Sequence, residues 1–359
     1  MNQRAGNIGG QIAGIDGLRA LSVLFVMALH ASYGRLNGGF LGVDIFFVIS
    51  GFLITHLLVE EQRLSGRVSL WHFYLRRAFR ILPPLIATIS LARILWRGAA
   101  ADIWPVARAA LFFYANFLPA ERLGDLGHTW SLAIEEQFYL VWPLLFILLA
   151  ARWPRALMAV AVAVILGSFL TRYYLVNVGA DLNALYSFTP ARLDPIMLGS
   201  LIALSGVVQR SFPPAMVRAA AWGSFALAVG FFLFATRDRM QGVPVNFLLF
   251  ALVSGTLVAS VPQLAPRDPL AMLLGNPIAR YIGKRSYGLY LYHYPIFGAM
   301  EGARIEGDLV NYIWVTAVKF LIAFGVAELS WRLIEQPMLR LKSRIAARPT
   351  APTTASSAA

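Results

Sequence analysis

The chain has 359 residues, 58% of them hydrophobic and only 14% charged, with a mean hydropathy of +0.64. That composition excludes an ordinary water-soluble domain and points to an all-α, polytopic transmembrane helical bundle. A net charge of +13 is read as topology signals in basic loops rather than as a nucleic-acid footprint, and the lack of cysteine excludes a thiol nucleophile.

Apolar blocks of about 20 residues, long enough to cross a bilayer core as helices, recur along the chain. Ten spans are expected, at roughly 14–34, 39–59, 80–97, 128–150, 155–176, 193–209, 215–236, 243–262, 285–300 and 309–333. The N-terminal MNQRAGNIGGQIAG leads into the first span without a small-residue cleavage site behind it, so that span is read as retained. The segment IWPVARAALFFYANFLP (103–119) is short, contains Arg108 and is bracketed by prolines, which suits a re-entrant or interfacial piece. With both termini cytoplasmic, eighteen basic residues fall in inner segments and nine in outer ones, the outer set including Arg172 and Arg192. This two-to-one excess follows the positive-inside rule. Residues 1–340 are read as one transmembrane domain and 341–359, ending in RPTAPTTASSAA, as a disordered cytoplasmic tail.

Ionisable residues inside spans are costly and by default functional. The first span contains GLRALSVLFVMALH, with Arg19 near its cytoplasmic end and His30 eleven residues on. Eleven steps of 100° make close to three turns, so both point the same way, about 16 Å apart along the axis. In FYLRRAFRILPP, Arg77 and Arg80 stand three apart on one helix face, at the same cytoplasmic level as Arg19. Arginines flanking a span ordinarily only set topology, but three meeting a groove suit phosphate groups.

Carboxylates come from the outer side. GGFLGVDIFFVISGFLIT buries Asp44 within the first turns of the second span, and HTWSLAIEEQFYLVWP buries Glu135 and Glu136 about two turns into the span at 128–150. Packing does not explain carboxylates at such depth. Meeting His30 in the outer half, Asp44, Glu135 or Glu136 would orient its imidazole for general base catalysis on a hydroxyl. KRSYGLYLYHYPIF adds Ser286, Tyr287, Tyr290 and His293, and His128, Thr129 and Trp130 stand at an outer mouth; Trp130, Ser286, Tyr290 and His293 are the candidate substrate contacts. Glu335 in WRLIEQP lies near an inner end. The five histidines show no paired metal-ligand spacing, so no metal is expected.

With these motifs in order, the chain resembles the acyltransferase 3 family: Arg19 and His30 as Arg-x10-His, GVDIFFVISGFLIT, Arg77-Ala78-Phe79-Arg80 as Arg-x-x-Arg, TWSLAIEEQFYLVWP, SYGLYLYHYP and EQP. The likeness covers residues 11–340. It implies a ten-helix membrane O-acyltransferase, in the form without a C-terminal esterase-like domain, lying in the bacterial cytoplasmic (inner) membrane. The implied donor is cytoplasmic acyl-CoA, usually acetyl-CoA. The implied acceptor is a hydroxyl on a surface carbohydrate such as polysaccharide or lipopolysaccharide, or on a glycan precursor. It further implies acyl-CoA engagement by Arg19, Arg77 and Arg80, with His30 as the catalytic candidate. An acyl-histidine relay stands beside general base catalysis. A transporter or flippase of a glycan precursor is the alternative function, since buried His, Arg and carboxylates also form proton relays. No inverted repeat supports it. A non-catalytic subunit of a polysaccharide assembly system would leave the buried carboxylates unexplained.

Overall fold

The computed structural model describes residues 12–32, 36–95, 103–300 and 309–346, and among these there is no strand. Its main helices are α1 (Ile15–Ala31), α2 (Gly42–Ser65), α3 (Leu70–Leu95), α4 (Trp104–Leu111), α5 (Thr129–Leu149), α6 (Pro154–Asn177), α7 (Asp194–Ser205), α8 (Pro214–Phe234), α9 (Val245–Ser260), α10 (Pro277–Ala299), α11 (Leu309–Ser330) and α12 (Gln336–Ala346). Seven helices among the described residues are long and apolar enough to cross a membrane. The protein is a multi-pass membrane protein. Each of the ten apolar blocks holds one helix, although α1 has 17 residues and α7 only 12. α10 dilutes its apolar content with Arg280, Lys284 and Arg285.

Two boundaries differ informatively from the sequence reading. α3 begins at Leu70, well ahead of the expected start near 80. Pro83 and Pro84 look like first-turn residues in sequence, yet the helix runs straight through them. Hydroxyls steady the backbone around this step: Tyr287 donates to the Ile81 carbonyl at 3.0 Å and Thr88 to the Pro84 carbonyl at 2.9 Å. Arg77 and Arg80 therefore belong to the helix proper. The segment 103–119 forms α4, eight residues or about 12 Å long, followed by a tight turn at Ala115–Phe117. That is too short to cross ~30 Å of hydrocarbon. At the other end of the chain, α12 continues to Ala346, and the remainder of the expected tail lies outside the described residues.

Close helix approaches set the core. A Cβ on Gly51 of α2 would overlap the Ile196 carbonyl of α7, and one on Gly199 of α7 the Val48 carbonyl of α2. Without a hydrophobic drive between helices in lipid, such small-residue contacts hold them together. α7 is fixed further by two buried ion pairs. Arg172 of α6 grips Asp194 through both Nη atoms, at 2.7 and 2.8 Å, and Arg192 meets Asp44 of α2 at 3.0 Å. Arg172 and Arg192 are 1% and 0% exposed, so the expectation that they are outer-loop charges is corrected. Only 22% of the apolar stretch of α6, and the same share of the one starting at Val310, is buried in protein. These helices form the periphery, while α1, α2, α3, α5 and α10 enclose the centre.

Candidate active site

Five helices deliver polar side chains to one central cavity of about 800 Å³, its open mouth included. α1 contributes Arg19, α3 contributes Arg77 and Arg80, α5 contributes Glu135 and Glu136, α2 contributes Ser50, and α10 contributes Ser286 and Tyr290. The remaining wall is largely apolar, with Phe46, Phe47, Leu53, Ile54 and Ile81. The Ser50 hydroxyl donates to Glu135 Oε1 at 2.7 Å, and the Arg77 guanidinium lies over the Tyr139 ring, 4.8 Å from its centroid. Two buried lining atoms, Glu136 Oε1 and Ser286 Oγ, make no hydrogen bond within the protein. Unsatisfied polar atoms on the wall of an open cavity are where a polar ligand would bind. A second cavity of about 610 Å³ adjoins the first across Arg19, Arg80 and Tyr287, and adds Lys284, Trp331 and Glu335. Glu335 closes a π-helical turn, Trp331–Glu335, a form of helix common at functional sites.

The histidines form a separate cluster. His30 Nδ1 lies 2.9 Å from His293 Nε2, and His293 Nδ1 lies 3.1 Å from the Leu289 carbonyl one turn back on α10. His128 joins them, its ring 5.8 Å from that of His293. Tyr294 packs edge-on to His30 at 5.0 Å and stacks on His128 at 4.9 Å. Between this cluster and the cavity stands a hydroxyl pair, Ser131 Oγ and Tyr290 OH, 2.6 Å apart. Both line the cavity, and the Tyr290 ring also lies 5.5 Å from His128 and 5.7 Å from His293. Among the described residues, no three or more His, Cys, Asp or Glu side chains are grouped to hold a metal.

Arg19, Arg77, Arg80, Glu135, Glu136, Ser286 and Tyr290 are thus brought together, and His30 is beside its neighbour His293 rather than on the cavity wall. Where a carboxylate from Asp44, Glu135 or Glu136 was expected to orient His30, the structure has His293 at its Nδ1, and Glu136 lines the cavity with the arginines. Asp44 is held by Arg192, and Glu135 is bonded to Ser50 at the level of the arginines. Helix rise is the reason: Glu135 follows His128 by seven residues, about 10 Å further down α5. Trp130 packs at 4.6 Å on Tyr186 and at 6.2 Å on Phe47, outside the cavity lining. His293 contacts the catalytic candidate instead of the cavity. Sequence reasoning passed over Ser50 and Tyr139. Tyr139 carried a signal, standing four residues after Glu135 on the same helix face.

A family profile described as an acyltransferase domain matches residues 12–332. The chain belongs to the acyltransferase 3 family. A provisionally named O-acetyltransferase of Staphylococcus aureus strain COL is 32% identical over 355 aligned positions, covering 91% of this chain and 57% of its own length. The O-acetyltransferase OatA of Staphylococcus aureus strain NCTC 8325 is 30% identical over 348 positions, with the same coverage of 91% and 57%. The chain therefore spans little more than half the length of these curated relatives. No solved structure matches it.

Proposed function

We propose that this acyltransferase 3 chain is an O-acetyltransferase of the bacterial inner membrane. In this reading it has ten spans and cytoplasmic termini, and moves an acetyl group from cytoplasmic acetyl-CoA to a hydroxyl of a surface glycan or its precursor. The observation that carries the reading is the pair of joined cavities ringed by Arg19, Arg77 and Arg80, ending one hydroxyl pair short of His30. Guanidinium groups hold phosphate with paired, charge-assisted hydrogen bonds. Arg19, Arg80 and Lys284 at the second cavity would take the nucleotide phosphates, beside the Trp331 and Tyr287 rings. The pantetheine arm then follows the apolar wall toward Ser131 and Tyr290, whose hydrogen bond must part to admit the thioester. The rise from Arg19 to His30, about 16 Å, sets the reach required. The names of the Staphylococcus relatives support acetyl as the group moved.

At the histidines the chemistry is a single acyl exchange. His30 Nε2 takes the proton of the acceptor hydroxyl while the oxygen attacks the thioester carbonyl carbon. The C–O bond forms, the C–S bond breaks, and the departing thiolate recovers the proton from His30. Excluding bulk water lets this occur without hydrolysing the donor. The test is purified protein with radiolabelled acetyl-CoA and native membranes as the source of acceptor. Label should pass to membrane glycan with wild type. With His30→Ala it should not, while CoA binding persists. A fully active His30→Ala variant, or wild type that moves no acetyl group, overturns the reading.

A further inference from the structure

We propose that His293 is the positioning residue for His30, holding the proton on His30 Nδ1 so that Nε2 is the nitrogen that acts on substrate. This assignment rests on the acyl-transfer reading above for its function, but its structural content stands on four atoms alone. The Leu289 carbonyl can only accept a hydrogen bond, so His293 Nδ1, 3.1 Å away, carries the hydrogen. A neutral imidazole with hydrogen on Nδ1 has a bare lone pair on Nε2. That lone pair faces His30 Nδ1 at 2.9 Å, so the shared hydrogen belongs to His30. One proton remains for a neutral His30, and it is now placed on Nδ1. Its Nε2 is left as a base or nucleophile, as either route of acyl transfer requires.

The device differs from the usual carboxylate behind a catalytic histidine. His293 is completely buried, and the rings packed against the pair are those of His128, Tyr290, Tyr294 and Phe297, with the Arg237 guanidinium close enough to act on His30. A resident carboxylate in place of buried His293 would put a full charge beside the pair, costing several kcal/mol unless paired. A neutral imidazole orients His30 without that charge. When His30 becomes an imidazolium during the reaction, its Nδ1–H bond to His293 turns charge-assisted and strengthens, as catalysis needs. Helix geometry explains the reach: the His293 ring folds back on its own helix to the carbonyl four residues earlier.

The full-length protein, purified in detergent with 15N-labelled histidine, tests this directly. It has five histidines, and a His30→Gln spectrum identifies the signals of His30. The expected result is a protonated Nδ1 and a bare Nε2 on His30. In His293→Phe the acceptor is gone, and His30 should shift toward the Nε2–H form. In His293→Gln the side-chain carbonyl takes the place of Nε2 and should keep the hydrogen on His30 Nδ1. Turnover of acetyl-CoA with native membranes gives the second readout. Loss of an orienting group behind a catalytic histidine lowers kcat by about 10⁴-fold, and His293→Phe should show a loss of that order with KM for acetyl-CoA unchanged. His293→Gln should restore kcat to within about tenfold of wild type, because it keeps the acceptor. A wild-type His30 with hydrogen on Nε2, or a His293→Phe variant with unaltered tautomer, overturns the proposal. So does a His293→Gln variant that keeps the tautomer but is as slow as His293→Phe. If wild type moves no acetyl group while the tautomer is as described, it is the acyl-transfer reading that fails.

Discussion

Asp44 offers a sharp division between holding the fold and serving the chemistry. Its carboxylate and the Arg192 guanidinium are each 0% exposed and 3.0 Å apart. Asp44→Ala strands a buried cation, which typically costs about 3–5 kcal/mol. At 1.4 kcal/mol per factor of ten, that is about a 150- to 4,000-fold loss in the ratio of folded to unfolded protein. The pair is also imperfect, since Arg192 Nε and Nη1 find no hydrogen-bond partner. Removing both charges together in Asp44→Leu/Arg192→Met should therefore return stability to within about 1 kcal/mol of wild type, as apolar replacement of buried ion pairs often does. Thermal unfolding in detergent, followed by size exclusion, measures both effects, and acetyl-CoA turnover runs beside it. The single variant should be unstable and the double variant stable and active. An Asp44→Ala protein that melts with wild type but has lost turnover, or a double variant that is stable and dead, would show that Asp44 serves the imidazole after all.

Three further outcomes are expected. Arg77→Gln/Arg80→Gln should weaken binding of radiolabelled CoA by roughly 10- to 150-fold for each charge-assisted hydrogen bond removed, at about 1.5–3 kcal/mol apiece; unchanged affinity contradicts a phosphate role. Ser286→Ala removes a buried hydroxyl with no partner in the protein, so the melting temperature should hold or rise slightly while KM for acetyl-CoA increases a few-fold; a clear drop in melting temperature contradicts this. Gly199→Leu drives a side chain into the backbone of α2 and should cost on the order of 1–3 kcal/mol or more, seen as earlier thermal unfolding; a variant as stable as wild type would mean the two helices do not approach this closely.

What could be read without coordinates was whatever a single helix determines. The ten apolar blocks, the shared face of Arg19 and His30, and the brevity of 103–119 all follow from rise and turn along one segment. The partners of those residues come from elsewhere in the chain. His30 meets a residue 263 positions away and Asp44 one 148 positions away, and nothing in one sequence sets the register between such helices. The Glu135–Ser50 bond was not legible for that reason. Carboxylates and an imidazole inside apolar stretches could be singled out, but their relative depth depends on how α5 sits beside α1. The course of α3 through Pro83 and Pro84 was hidden for another reason. A proline pair usually marks a helix boundary, yet α3 runs past it, with the Tyr287 hydroxyl of α10 bonded to the Ile81 carbonyl beside the step.

The hydroxyl contact between Ser131 and Tyr290 has a consequence for the cell's acyl economy. A shaft open from one face of a membrane to the other would leak protons and let water spoil every loaded thioester. Here the cavity and the histidine cluster meet at this hydroxyl pair, whose mutual bond contributes only about 1 kcal/mol beside the bonds both hydroxyls make to the His128 carbonyl. Such a contact yields to ordinary side-chain motion, so in the proposed reaction an incoming acyl group would need no separate energy source to pass. Until that bond parts, the proposed thioester would be held apart from the histidines.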